Sequence, residues 1–85
     1  MTITILYFAG LREALGTHRE TIDLPVGVST AAQLRAWLCG RGGAWAEMLA
    51  EGRAIRVSID QAMARPDTPV GSGAEVAFFP PVTGG

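Results

Sequence analysis

The 85-residue sequence contains no lysine, a single cysteine and a single histidine, and each shortage excludes a class of chemistry. Without lysine the chain cannot form a Walker-type phosphate loop or a Schiff base, and it offers no side-chain amine to which its own terminus could be linked. Cys39 cannot form an internal disulfide, and with only His18 beside it cannot complete a zinc or iron–sulfur site. We therefore expect a protein of the reducing cytoplasm.

Charge and long apolar runs are also scarce. The formal net charge is −1, and the seven basic residues, all arginines, are scattered along the chain, so nucleic-acid binding is not expected. No apolar run approaches the ~20 residues of a membrane helix, and Met1-Thr2-Ile3 opens a strand pattern without the basic region of a signal peptide. Because 48% of the residues are hydrophobic, we expect one globular domain with its own core.

Apolar periodicity predicts an α+β chain. The predicted elements, in chain order, are strand 2–9, short helix 10–16, strand 19–24, main helix 30–38, short helix 45–52, strand 55–59, a short strand ending at 63, and strand 74–79. Thr30 and Gln33 form a capping box, and the helix they begin is expected to bury Leu34, Trp37 and Leu38. A mixed sheet that packs one face on this helix favours a β-grasp.

The last strand stops abruptly in the sequence FFPPVTGG. Pro80 and Pro81 remove two backbone donors and favour an extended exit from the sheet. The residues that follow are Val82, Thr83, Gly84 and Gly85. When extended, they reach about 13 Å beyond the body, and glycine without a Cβ can pass through a narrow channel. We predict a domain over 1–81 and a flexible tail over 82–85 that carries the terminal carboxylate into another protein's active site.

The segment EVAFFPPVTGG resembles the C-terminus of the small, sulfur-carrying subunit of molybdopterin synthase, one of the ubiquitin-like sulfur carriers. ILYFAGLREALG and DTPVGSGAEVAFFPP also occur in that family's order and spacing, so the resemblance spans the chain. Asp60 stands where the family often has asparagine, and Ser72-Gly73-Ala74 replaces its usual acidic turn. Both departures concern turn chemistry. The resemblance implies a ubiquitin-like β-grasp fold.

The resemblance also implies a function for the terminal glycine. A separate ATP-dependent, E1-like enzyme would adenylate Gly85, and the acyl adenylate would release AMP and accept sulfur as a thiocarboxylate. The sulfur would then pass to cyclic pyranopterin monophosphate in the large catalytic subunit, while Gly84 lets the tail through. No cofactor would be bound by the chain itself, which would not be catalytic alone.

The alternation of side chains along the strands predicts where such partners dock. If Val76 and Phe78 face the core, the alternate residues of the last strand face outward, as does the end of the first strand. The predicted partner-binding residues are Phe8, Met63, Phe79, Pro80 and Pro81. An exposed cluster of large apolar side chains is typical of a binding site. The alternative is that one phenylalanine is simply covered by the tail or by sheet twist.

Three other functions stay open at this point. The same thiocarboxylate could serve another acceptor, such as a thiazole precursor, a tRNA base or an amino-acid precursor. The chain could be a ubiquitin-like modifier joined through Gly85 to lysines of other proteins. It could also be an interaction module whose Gly-Gly end has no chemical role.

Overall fold

The computed structural model describes residues 1–80 as an alternation of strands and helices. The elements are β1 Thr2–Tyr7, α1 Ala9–Leu15, β2 Arg19–Asp23, α2 Ala31–Cys39, α3 Gly43–Met48, β3 Arg56–Ile59, β4 Ala62–Met63 and β5 Glu75–Phe79. The predicted order is confirmed, and the boundaries differ by a few residues. The first strand ends at Tyr7, so Phe8 lies just beyond it and precedes α1.

All five strands form a single mixed sheet in the order β2-β1-β5-β3-β4. The central strands β1 and β5 are parallel, whereas β1–β2, β3–β5 and β3–β4 are antiparallel. The parallel central pair is possible because the helices and the β3–β4 hairpin lie between β1 and β5 in the chain. The predicted α+β arrangement, a mixed sheet packed on one main helix, is confirmed.

The core lies between one face of this sheet and the helices. The largest side chains that are less than 2% exposed are Ile3, Ile5, Tyr7, Leu11, Leu34, Leu38, Leu49, Val76 and Phe78. In β1 and in β5 these buried side chains belong to every second residue, as the alternation of a strand requires. The residues between them point to the opposite, outer face of the sheet.

Helix α2 begins as predicted and buries less than predicted. The Thr30 hydroxyl accepts from the Gln33 N–H at 3.2 Å, and the Gln33 side chain accepts from the Thr30 N–H at 3.2 Å. The prediction that Trp37 is buried with Leu34 and Leu38 is wrong, since Trp37 is 39% exposed. It lies at the edge of the apolar stripe, where the Arg41 guanidinium sits 5.1 Å from its ring centroid. Over residues 1–80, no helix is long and apolar enough to cross a membrane.

A two-residue hairpin turn connects β3 and β4. Asp60 and Gln61 have φ values of 51° and 70°, the left-handed pair that such hairpins require. The Asp60 carboxylate also accepts from the Glu75 N–H at 3.0 Å. Aspartate at this position therefore joins the hairpin to β5.

Candidate functional site

The outer face of the sheet carries a row of side chains that crosses all five strands. Ala77 of β5 is in register with Leu6 of β1 and Ser58 of β3. Leu6 is in turn in register with Arg19 of β2, and Ser58 with Met63 of β4. Neighbouring strands lie about 4.8 Å apart, so the row is roughly 19 Å long. Ala77 is only 7% exposed, because it is small and has a strand on each side.

Phe8 and Phe79 lie together at the end of this face. Their ring centroids are 6.4 Å apart with an interplanar angle of 81°, the edge-to-face geometry that aromatic pairs prefer. The Phe8 N–H donates to the Phe78 carbonyl at 3.2 Å, which continues the β1–β5 ladder one residue past β1. Phe8 is 47% exposed and Phe79 half-buried. The role of this outer aromatic pair in binding a partner stays a prediction.

Met63 is on the same face and is 60% exposed. It belongs to the row that contains Ala77, which lies two residues before Phe79 in β5. Arg56 is the cross-strand neighbour of Phe79. The candidate site is therefore two exposed apolar groups with Ser58 and Arg56 between them. The sequence does not place Arg56 beside Phe79, because only strand register brings the two together.

The chain leaves the sheet beside a shallow groove. Pro80 is half-buried and, with Gly10 of α1 and Arg53 of the segment before β3, lines this groove of about 260 Å³. The predicted site residues outside the described part of the chain are Pro81, Val82, Thr83, Gly84 and Gly85. Arg53 was not predicted as a site residue, and no sequence signal places it at the exit.

The segment that carries Arg53 is held by hydrogen bonds from the half-buried side chain of Arg35 of α2. The Arg35 Nε donates to the Leu49 carbonyl at 2.8 Å, and Nη2 donates to the Ala50 and Arg53 carbonyls. The Ile55 N–H also donates to the Arg53 carbonyl at 2.9 Å. These bonds satisfy several loop carbonyls and fix the backbone at one side of the exit.

The opposite face of the same strand ends holds a polar network centred on Glu20. The Tyr7 hydroxyl donates to Glu20 at 2.8 Å and accepts from Trp45 Nε1 at 3.3 Å. Arg41 binds both carboxylate oxygens of Glu20, at 2.8 and 2.9 Å. Its guanidinium also lies 5.1 Å from the ring centroids of both Trp37 and Trp45, within cation–π range.

The network shifts the ionisation of its members in directions that favour the ion pair. The hydrogen-bonded Arg41 guanidinium lowers the pKa of Glu20, and Glu20 in turn raises the pKa of Arg41. Burial raises the pKa of the Tyr7 hydroxyl above its ordinary value, so Tyr7 stays a neutral donor. The sequence does not predict this network, because Arg41 lies among glycines in Gly40-Arg41-Gly42-Gly43 and is distant from Glu20 in the chain.

Cys39 and the carboxylates do not gather into a reactive cluster in this part of the molecule. The Cys39 thiol is half-buried, packs against the core and donates to the Leu49 carbonyl at 3.0 Å. Among residues up to Pro80, no three His, Cys, Asp or Glu side chains are grouped to hold a metal ion. What the described residues do present is the exposed aromatic pair next to the point where the chain leaves the sheet.

Comparison with known proteins assigns this arrangement to a family. The model of the ThiS family matches residues 5–85. The chain belongs to the ThiS family. It is 39% identical over 83 residues to the molybdopterin synthase sulfur carrier subunit of Haemophilus influenzae, covering 98% of this chain and 99% of that protein. Its identity to the Escherichia coli subunit of the same name is 36%, with the same coverage.

Solved structures agree with the fold of this ThiS-family member. SAMP1 from Haloferax volcanii superposes with a TM-score of 0.78 at 26% identity, over 100% of both chains. The complex of subunits 1 and 2 of the molybdopterin-converting factor from Helicobacter pylori contains a chain with a TM-score of 0.67 at 20% identity, again over 100% of both. At that identity the likeness concerns the fold. The predicted ubiquitin-like β-grasp and the predicted family are confirmed.

Proposed function

We propose that this protein carries sulfur on Gly85 as a subunit of molybdopterin synthase. The observation that carries the proposal is the uncovered pair Phe8–Phe79, which stands where the chain leaves the sheet toward the Gly-Gly end. A sulfur carrier needs a surface on its folded domain that another protein can bind while the tail enters that protein's active site. Residues 1–81 form the body in this proposal, and 82–85 form the flexible tail.

The chemistry of the terminal glycine requires activation by another protein. The Gly85 carboxylate attacks the α-phosphate of ATP in an E1-like adenylating enzyme, and pyrophosphate leaves. A sulfur donor then displaces AMP from the acyl adenylate, which leaves a thiocarboxylate on Gly85. The sulfur passes to cyclic pyranopterin monophosphate in the large subunit, and Gly85 returns to a carboxylate. We place these steps in the cytoplasm, since the single half-buried cysteine suits a reducing compartment.

The docking surface in this proposal consists of Phe8, Met63, Phe79, Pro80 and Pro81. Each large apolar side chain that a partner covers fully contributes on the order of 1.5–3 kcal/mol. The pairing of subunits 1 and 2 in the Helicobacter pylori complex supports a large subunit as the partner here. The near-neutral formal charge of −1 also favours apolar contacts over a broad electrostatic surface.

The intact mass of the protein tests the chemical step. The protein is incubated with its adenylating enzyme, ATP and a sulfur source, beside a variant that lacks Gly85. We expect a gain equal to the replacement of one oxygen by sulfur, and no gain in the shortened variant. An unchanged mass, with an adenylating enzyme shown to be active on another carrier, would contradict the proposal and favour an interaction module. Sulfur transfer to cyclic pyranopterin with a matching large subunit then separates this pathway from other acceptors.

The substitution Phe79→Asp tests the docking surface. We expect the domain to stay folded and the affinity for the large subunit and the adenylating enzyme to fall at least about tenfold, since one covered aromatic side chain is worth more than 1.4 kcal/mol. Thr21→Asp is the matched control, because it adds the same charge to an exposed position of β2 on the same sheet face. Unchanged affinity of Phe79→Asp for both partners, or equal losses in both variants, would remove Phe79 from the interface.

A ubiquitin-like modifier is the second candidate function. It is favoured by the likeness to SAMP1, the small archaeal modifier protein 1 of Haloferax volcanii. In this function the activated Gly85 would acylate a lysine of another protein, releasing AMP or the activating thiol. Adducts that shift on a denaturing gel and survive thiol and hydroxylamine would support it. Their absence beside a measured thiocarboxylate would leave sulfur carriage as the function.

A further inference from the structure

Two arginines stand at the point where the chain leaves the sheet. Arg56, the first residue of β3, is in register with Phe79, the last residue of β5. Arg53 lines the exit groove together with Pro80. Both arginines are exposed. Within residues 1–80 the single ion pair is Arg41–Glu20, so these two exit arginines, Arg53 and Arg56, have no carboxylate partner in the described part of the chain.

The backbone holds both exit arginines in place. The Arg53 carbonyl accepts from Arg35 Nη2 at 2.8 Å and from the Ile55 N–H at 2.9 Å. Arg56 is anchored by the β3–β5 ladder. The two positive charges are therefore attached to a fixed rim beside Pro80.

The proposed function brings a partner to this rim. Residues 81–85 span at most about 18 Å when fully extended. An enzyme that takes Gly85 into its active site must therefore place the mouth of its channel close to Pro80, against the exit arginines. This step rests on the proposed function, because only a tail that is inserted draws a channel mouth to the exit.

We infer that the exit arginines contact the large subunit, and that the mouth of its channel presents carboxylates to them. A guanidinium covered at an interface loses its hydration, and an acidic group compensates this loss most strongly because it adds charge–charge attraction to the hydrogen bonds. The whole chain carries a formal net charge of only −1 and provides no general attraction. Local charge at the exit thus guides the tail toward the channel and raises the association rate more than the affinity.

The association rate constant of the full-length protein with the large subunit tests this inference. The double variant R53A/R56A should associate about tenfold more slowly at about 0.02 M salt, the lower end of the range for electrostatic steering. The difference should shrink to less than about twofold at 0.5 M salt, where screening shortens the range of the charges to a few ångströms. R53K/R56K should keep the wild-type rate, because it keeps both charges.

V26D and S72D together form the matched control for the change in net charge, because they also make the chain more negative by two. Val26 and Ser72 are exposed and belong to loops at the opposite end of the sheet, where the Leu24 N–H donates to the Met1 carbonyl and the Gly73 N–H to the Thr2 carbonyl. The double substitution should change the association rate less than about threefold, because these loops lie away from the channel mouth. Thermal unfolding of every variant, with the same midpoint as wild type, verifies that the rates compare folded proteins.

Each remaining outcome has a distinct meaning. Equal slowing by R53A/R56A and V26D/S72D, or a wild-type rate that does not respond to salt, would overturn the inference. An effect on the adenylating enzyme alone would also overturn it, since the acidic mouth is assigned to the large subunit. If Phe79→Asp weakens binding and Gly85 gains sulfur while R53A/R56A behaves as wild type, the inference fails and the proposed function stands. If Gly85 gains no sulfur, the proposed function itself fails.

Discussion

Two aromatic pairs lie side by side in this protein and have opposite environments. Tyr7 and Phe78 face the core at 1% and 0% exposure, with ring centroids 6.1 Å apart and nearly parallel planes. Their immediate neighbours in sequence, Phe8 and Phe79, face outward, with centroids 6.4 Å apart and planes at 81°. The same two strand ends therefore contribute to stability on one face and offer a binding surface on the other.

The polar surroundings of the two pairs differ as well. The inner pair is tied through the Tyr7 hydroxyl to Glu20 and Trp45. The outer pair has Arg56 as a cross-strand neighbour. A polar group inside the fold has its hydrogen bonds satisfied by the protein, whereas an exposed charge is hydrated and accessible to other molecules. The difference teaches that stability and recognition can be altered separately at this end of the sheet.

The largest expected effect comes from truncating the two adjacent phenylalanines. Phe78→Ala should lower the free energy of unfolding by about 3–5 kcal/mol, because it leaves a cavity in the core. Phe79→Ala should lower it by roughly 1 kcal/mol, because the side chain is only half-buried, and should weaken partner binding instead. Urea unfolding measures both values. Equal losses of stability would show that the two faces of β5 are not distinct.

A smaller effect is expected from removing a hydroxyl group on the inner face or adding one on the outer face. Tyr7→Phe should lower the free energy of unfolding by about 1–2 kcal/mol, because Trp45 Nε1 and Glu20 each lose a hydrogen-bond partner. Phe8→Tyr, which adds a hydroxyl to an exposed ring, should change it by less than about 0.5 kcal/mol. Urea unfolding of the two variants compares the inner and outer positions with matched chemistry. A larger loss in Phe8→Tyr would reverse the assignment of the two faces.

The smallest expected effect concerns how the free energy of unfolding decreases as the pH falls. Arg41 holds the pKa of Glu20 below its ordinary value, so the folded state favours the charged carboxylate. This contribution is present above the unfolded carboxyl pKa of about 4.3 and is lost as pH falls through the lower folded value. Glu20→Gln should cost about 1 kcal/mol at pH 7, as partly exposed ion pairs do, and should reduce the decline of stability below about pH 4.3.

Arg41→Ala provides the comparison for that measurement. It leaves the carboxylate and removes the group that lowers its pKa, so the decline of stability with acid should be reduced to the same extent. The free energy of unfolding is measured in urea at a series of pH values between neutral and about pH 3. If the free energy of unfolding of both variants decreases with acid as it does in the wild type, the pH dependence comes from other carboxylates.

The amino-acid sequence by itself determined the elements and the two faces of the central strands. Alternation fixes which residues share a side of a strand, so Val76 and Phe78 could be assigned inward and Phe79 outward. The capping box at Thr30 and Gln33 is a local signal, and the structure forms it. These features depend on residues close together in the chain, where short-range geometry decides the outcome.

Only the tertiary structure decided which of those residues meet. Strand register places Arg56 beside Phe79 and separates Met63 from the outer aromatic pair, and alternation along a single strand contains no information on register. Trp37 has helical spacing suited to the core but lies over Arg41, because the loop after α2 folds back toward Glu20. The exit arginines, three residues apart in the chain, likewise reach Phe79 and Pro80 only when β3 pairs with β5, since contacts between distant segments are fixed by packing and not by local pattern.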